Sequence, residues 1–390
     1  MEFSLTDEQR MIRDSAESLL AELSDSTAVR VAMQSEAGHD PAVWRTVAEE
    51  LAWPALAVPE VHEGLGLGPV ELALLMEQMG RRLFCAPFLA SACLATLALR
   101  CVGENDAQQR WLAEMATGRR VATLAFGGAQ PWGPETLSVV ATPTAEGYRL
   151  EGECRQVLEL QAADLLLVAA RLPGSRDAQG VCLFAVEADA AGVTRTPLPT
   201  LDQTRRLGRL ELAGVDVAAA ARVGAEGEAW AGLEQCLRIG AIMLAAEQLG
   251  GAQACLDMSV AYTLERHQFG RPIAGFQAIK HRAAEMMLAV ERARSAVYYA
   301  ACVAAEALDP EGDSAVAAEL PLAASLAKSE ASDTYFHCAA EAIQLHGGVG
   351  FTWEYNPHLY LKRARASEGY LGTPAWHREQ MARELMGETP

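Results

Sequence analysis

Residues 264–282 read Leu264-Glu265-Arg266-His267-Gln268-Phe269-Gly270-Arg271-Pro272-Ile273, then Ala274-Gly275, then Phe276-Gln277-Ala278-Ile279-Lys280-His281-Arg282. A long apolar stretch precedes Arg266 and ends in this charged turn. Gly270 is expected to stop the helix, and Pro272 to prevent its restart. Phe276 then opens a second helix. On residue chemistry alone the segment is a corner between two helices, rich in cations and suited either to phosphate or to solvent.

Working outward from that corner, Ala-rich helical stretches run from Ala231 to Arg266, from Phe276 to Leu308 and from Ser314 to His346. Helices of that length pack side by side as a bundle, and a C-terminal helical domain is expected over 229–390. Before it, β-prone runs alternate with turn residues, among them Val121–Phe126, Leu137–Thr142, Asp164–Leu172 and Gly180–Ala188. They leave no room for intervening helices, so a central antiparallel β domain is expected over 121–228. Residues 1–120 read as helices, opening on Thr6 and Gln9 spaced as a capping box. The fold class is therefore α+β and multi-domain: N-terminal helices, a central antiparallel β domain, then a four-helix bundle.

Composition narrows the function. The formal net charge of −19 argues against nucleic acid or an anionic membrane as partner, since both need a basic footprint. The nine cysteines are scattered with no CxxC pair, which fits small buried hydrophobes in a reducing compartment; no metal site is expected. The N-terminus has no cationic start followed by an apolar run, and a cytoplasmic location is expected. Glycine runs at Gly64–Gly68 and Gly347–Gly350 lack the strand-then-helix context of a nicotinamide site.

The stretch 265–286 resembles the acyl-CoA dehydrogenase signature R-x-Q-F-G-x-P-I-x-x-F-Q, and Gln344–Glu354 is similar to the family's second signature, Q-x-H-G-G-x-G-[YF]-x-x-E. The opening Leu5-Thr6-Asp7-Glu8-Gln9-Arg10 and the segment Val58–Arg81 are also similar to the family's N-terminal helices. The resemblance implies FAD as cofactor, an acyl-CoA thioester as substrate and electron-transfer flavoprotein as acceptor. It implies that Arg266, Gln268, Phe269 and Gln277 reach the FAD of a neighbouring subunit, joined by Gln344, Gly347 and Gly348. Thr373 is expected to touch cofactor as well.

In the family a glutamate removes the α-proton of the thioester while a β-hydride leaves for the flavin, a step that needs a desolvated carboxylate base. Relatives carry that base in Tyr-Glu-Gly-Thr; this chain has Tyr370-Leu371-Gly372-Thr373. The alternative helix position falls at about Gly240 or Ala241, again without a carboxylate. The Thr-Glu-x-x-x-Gly-Ser-Asp loop is absent after Ala122–Phe126, where Gly127 and Gly128 follow. Gln156 and Leu158 stand where a Trp-Ile-Thr segment packs beside the flavin.

Glu247 and, more weakly, Glu368 are the remaining candidate bases, with His377 and Arg378 expected in a solvated helix start. Groups serving a partner's flavin are thus kept and those serving the chain's own site are lost. That pattern implies the base-lacking subunit of a heteromeric acyl-CoA dehydrogenase, of the type known among bacterial steroid and branched-acid degraders. The alternatives are a self-sufficient homo-oligomer with a relocated base, and a non-enzymatic acyl-CoA-binding scaffold.

Overall fold

A computed structural model describes residues 5–103, 106–127 and 132–387. Helices α1 (Asp7–Leu23), α2 (Ser26–Gln34), α3 (Pro41–Arg45), α4 (Pro69–Arg81), α5 (Thr96–Val102) and α6 (Asp106–Ala116) come first. Strands β1 (Ala122–Ala125), β2 (Val140–Pro143), β3 (Gly147–Leu158), β4 (Leu165–Arg171), β5 (Val181–Glu187), β6 (Val193–Pro197), β7 (Leu207–Ala218) and β8 (Arg222–Val223) follow. Helix α7 (Trp230–Glu265) leads to a small hairpin of β9 (His267–Gln268) and β10 (Arg271–Pro272). Then come α8 (Gln277–Leu308), α9 (Ser314–Ala317), α10 (Leu320–His346), α11 (Pro357–Gly369) and α12 (Pro374–Met386). By contacts these form two units: Met1–Val31, Pro69–Phe84 and Ala241–Pro390 make one, and Ala32–Gly68 with Cys85–Gly240 the other.

The second unit is built on the sheet, ordered β6-β7-β3-β2-β4-β5-β8, with β1 paired to β4. Most pairs are antiparallel, as the sequence implies. The exceptions are β1 and β2, which run parallel to β4, because intervening strands return the chain to the same end of the sheet before β4 begins. Strands β4 and β5 are buried almost throughout. Leu166, Val168 and Ala170 join Cys182, Phe184 and Val186 in one core cluster, while Leu165, Leu167 and Leu183 on the opposite face are equally buried. That double burial is why these strands read as continuous apolar runs rather than alternations. The edge strands β6 and β8 carry no such signal: one is polar and half-exposed, the other two residues long.

The first unit is helical. The capping box opens α1 as expected: Gln9 N donates to Thr6 Oγ1 at 3.2 Å and Thr6 N to Gln9 Oε1 at 3.0 Å. The stretch expected as one helix from Ser314 to His346 is instead the single turn α9, capped by Asp313, followed by α10. Pro321 explains the break, since it lacks an N–H and fits only a helix's first turn. No apolar run in the sequence reads as reaching the roughly 20 residues that span a bilayer, yet α7, alone among the described helices, is long and apolar enough to cross one, and 94% of its apolar 18-residue window is buried in the fold. All nine cysteines are free thiols; burial pushes those of Cys154 and Cys338 up to about 12.

Helices α4 and α7 cross backbone to backbone. Each carries a Glu-Gln-x-Gly turn, Glu77-Gln78-Met79-Gly80 and Glu247-Gln248-Leu249-Gly250. A Cβ on Gly80 would lie 1.9 Å from the Glu247 carbonyl oxygen, and one on Gly250 would lie 1.8 Å from that of Glu77. The two glutamates, both buried, each take an arginine from a third helix: Glu77 pairs with Arg294 of α8, and Glu247 with Arg363 of α11. Gly250→Ala or Gly80→Ala must force these helices apart. Either change should cost about 3 kcal/mol or more, as overpacking against backbone does. Denaturant midpoints would measure it, against Gly275→Ala as a control whose nearest neighbour atom lies 3.6 Å from the added Cβ.

Candidate functional site

The corner at 264–282 differs in detail from its sequence reading. Helix α7 ends at Glu265, and Gly270 does not cap it; Phe269 and Gly270 form the turn of the β9–β10 hairpin, with φ of 53° and 78°. Glycine suits such a turn, whereas a phenylalanine in the left-handed region costs of order 1 kcal/mol. Phe269 is also 89% exposed. A bulky apolar ring held out in strained backbone is a feature that folding alone does not select. Behind it, the Arg271 guanidinium lies 4.1 Å from the centroid of the Phe276 ring.

Helices α8 and α10 pack antiparallel. Arg282 Nη1 donates to Glu341 Oε2 at 2.9 Å, and Thr334 Oγ1 to the Ala289 carbonyl at 3.4 Å. That register puts Gln277, at the start of α8, and Gln344, near the end of α10, at the same end of the unit. The end of α7 joins them through Tyr262, whose ring stacks on His346 with centroids 4.2 Å apart. Arg266, Gln268, Phe269, Gln277, Gln344, Gly347 and Gly348 are all exposed and gathered there.

Thr373 is not among them. Its hydroxyl caps α12, accepting from Trp376 N at 3.2 Å, and it follows Gly372, whose carbonyl is held by Lys328. Lys328 lies 19 positions before Gly347 on α10, which is about 28 Å along the axis. The sequence-expected cofactor groups therefore fall at two separate places.

The first place suits a dinucleotide's phosphates. Nothing lies within 4 Å of a Cβ placed on Gly347 or Gly348, and Gly347 has φ +64°, so bare backbone is open to a ligand. Arg266 has no ion pair or side-chain hydrogen bond among the described residues. Helix α8 begins without a side-chain cap and with no acidic residue in its first turn, leaving its N–H groups and dipole suited to an anion.

At the second place Leu371 is 2% exposed, with φ +56°. Gly372 follows at φ +104°, where a Cβ would lie 2.4 Å from His377 Nε2. His377, expected in a solvated helix start, is instead 1% exposed. Its Nε2 lies 2.8 Å from the Leu371 carbonyl and its Nδ1 3.2 Å from Ser325 Oγ. The strained Leu371–Gly372 backbone wraps over the imidazole and shuts out water. Arg378, the next residue, is exposed and pairs with Asp333 at 2.7 Å.

Among the described residues, both carboxylates that the sequence offers as relocated bases are held by arginines. Glu247 is locked to Arg363, itself 2% exposed. Glu368 pairs with Arg365 at 2.6 Å, and Gly240 and Ala241 are buried without acidic neighbours in sequence. Among the described residues the other fully buried carboxylates are also engaged: Glu77 with Arg294 and Tyr298, Glu159 with Arg206 N, Asp202 with Thr204.

In the sheet unit, Gln156 sits at a bulge of β3 with φ +58° and is exposed, while Leu158 is buried and its carbonyl accepts from Thr123 at 2.6 Å. Gly127 ends the described part of the loop after β1, and Gly128 lies outside the described residues. Sequence reasoning missed Lys328, the His346–Tyr262 stack and the Glu77–Arg294 pair. Lys328 did leave a trace: it is the one charged residue in the run Ala323–Ser329, which is otherwise alanine, serine and leucine.

Helices, a central sheet and then helices again, in this order and with these corners, define the acyl-CoA dehydrogenase fold. Residues 6–119 match the acyl-CoA dehydrogenase N-terminal domain and residues 227–386 the C-terminal domain. The chain is similar to acyl-CoA dehydrogenase IpdE2 of Mycolicibacterium smegmatis, 32% identical over 379 residues that cover 97% of this chain and 98% of the relative. Among solved structures it is similar to a chain of the ChsE4–ChsE5 complex of Mycobacterium tuberculosis, with TM-score 0.87, 30% identity and full coverage of both chains. It is also similar to a chain of the Tcur3481–Tcur3483 steroid ACAD, with TM-score 0.84, 28% identity and 98% coverage of each. The protein belongs to the acyl-CoA dehydrogenase family, an FAD-dependent family of oxidoreductases.

Arg363→Met should cost about 3–5 kcal/mol, because it strands the Glu247 carboxylate in the core. The double change Glu247→Leu with Arg363→Met should regain most of that loss. Denaturant unfolding of the three proteins checks both expectations.

Proposed function

We propose that this chain is the base-lacking subunit of a heteromeric acyl-CoA dehydrogenase that oxidises the α,β bond of an acyl-CoA thioester. One observation carries the reading. The position that bears the proton acceptor in relatives holds Leu371, buried, in left-handed backbone and tied down through its carbonyl to His377. The engaged state of Glu247 and Glu368 supports it, since each candidate carboxylate is already paired with an arginine. So does the separation of the two groups of cofactor residues, which suits a subunit lending one set to a neighbour. The two-chain names of the similar structures, one of them a steroid enzyme, favour a steroid or branched acyl chain.

In this reading Arg266, Gly347 and Gly348 neutralise and seat the phosphates of an FAD whose flavin serves the partner. Phe269 covers the adenine side with its strained, exposed ring, and Gln268, Gln277 and Gln344 supply amide contacts. When bound, FAD would supply the acceptor for the β-hydride, with an electron-transfer flavoprotein as the onward electron acceptor. This chain's own contribution is to bind, orient and exclude water; the α-proton acceptor comes from the other subunit.

Co-expression with a homologous subunit carrying Tyr-Glu-Gly-Thr should yield a stable complex with one flavin per pair and thioester-dependent bleaching. The chain purified alone should show neither. A homo-oligomer with a full complement of flavin and steady turnover would overturn the proposal. Within the complex, Arg266→Ala should weaken flavin retention by about tenfold or more, the scale of a lost charge-assisted contact, as read by flavin release on dilution.

A further inference from the structure

The segment 368–373 is fastened by a buried cation that the family assignment does not explain. Lys328 is fully buried. Its Nζ donates to the carbonyls of Glu368 and Gly372, each at 3.1 Å, and to Ser332 Oγ at 2.9 Å. Three N–H bonds meet three acceptors, which is the full valence of an ammonium. Ser332 Oγ in turn donates to Gln248 Oε1 at 3.1 Å, and Gln248 Nε2 to Ser367 Oγ at 3.1 Å. The lysine is thus the hub between α10, α7, the end of α11 and the start of α12. His377 holds the intervening Leu371 carbonyl from the α12 side.

We propose that Lys328 is a positioning residue that latches the 368–373 segment, so that Leu371 and Thr373 leave their places only when Lys328 is drawn out into water. The latch does not depend on which subunit supplies the proton acceptor. It would hold this segment in a self-sufficient enzyme as well, so its failure and the failure of the shared-site reading are separate results.

Charge gives the latch a signature. Burial depresses the Lys328 ammonium to about 7, opposed by Glu368 and Asp333. The charged and titratable groups around it are Asp333 on α10, Glu368 on α11 and His377 on α12, with Arg365 and Arg378 paired to the two carboxylates. In water the same lysine titrates near its ordinary value of about 10.4. Between those values the opened segment binds one more proton than the closed one. By linkage, opening must then become rarer by about tenfold for each unit of rising pH. Below about 7 both states are charged and opening is independent of pH.

Amide hydrogen exchange of the full chain, followed by mass spectrometry from pH 6 to 9, reads this directly. Intrinsic exchange speeds up about tenfold per unit. Peptides covering 368–373 should therefore follow that slope up to about pH 7 and then hold a nearly constant rate up to pH 9. In Lys328→Met the plateau should vanish and protection of the segment should fall about tenfold. A wild-type profile that keeps the full slope through pH 7–9 overturns the proposal, and needs no variant to fold. A plateau that persists in a folded Lys328→Met protein overturns it equally.

Discussion

The helical unit rests on one close approach: α4 and α7 touch where Gly80 meets the Glu247 carbonyl and Gly250 meets that of Glu77. No side chain fits between them. This contact fixes how far each helix can turn, and with it where Glu77 and Glu247 point. Each carboxylate is driven into the core, where only a paired guanidinium makes its burial tolerable. Arg294 and Arg363 answer that need and tie α8 and α11 to the crossing. The neighbouring Gln248 then reaches Ser367 and Ser332, carrying the polar chain on to Lys328.

The chemistry follows from that packing. Glu247, which from spacing alone looks like a relocated base, is spent in holding two helices together. The carbonyls around Leu371 are gripped from both sides, and the residue at the family's base position is an apolar one in strained backbone. An acid–base group can be moved in evolution only where the surrounding structure has a free carboxylate to offer, and here the buried ones have structural duties. At the opposite end of α10 the demands reverse: open glycine backbone, an arginine with no ion pair among the described residues and a phenylalanine that is 89% exposed all face outward.

Much of this was legible in the residues. The corner at 264–282, the second signature from Gln344 and the Leu371 substitution are local patterns, and local patterns survive without coordinates. The order of helices, strands and helices was equally plain, because β4 and β5 are long apolar runs and α7 and α8 are long Ala-rich ones. What failed was tertiary. Nothing near His377 in sequence says that Gly372 will fold over it, and nothing in Ser314–His346 except Pro321 marks the break before α10. The pairing of Glu247 with Arg363 spans more than a hundred residues and has no sequence signal at all. Strands β6 and β8 were missed because edges need neither alternation nor burial.

The most direct test of the missing base measures proton removal without redox chemistry. The FAD-supplied chain, purified alone, would be incubated in D2O with the thioester that the reconstituted complex oxidises, and deuterium at the thioester's C2 followed by mass spectrometry. Incorporation by the isolated chain should be no faster than in buffer, alongside rapid incorporation by the complex. Exchange catalysed by the isolated chain at a rate approaching that of the complex would contradict it, and would mean that this polypeptide holds a proton acceptor of its own.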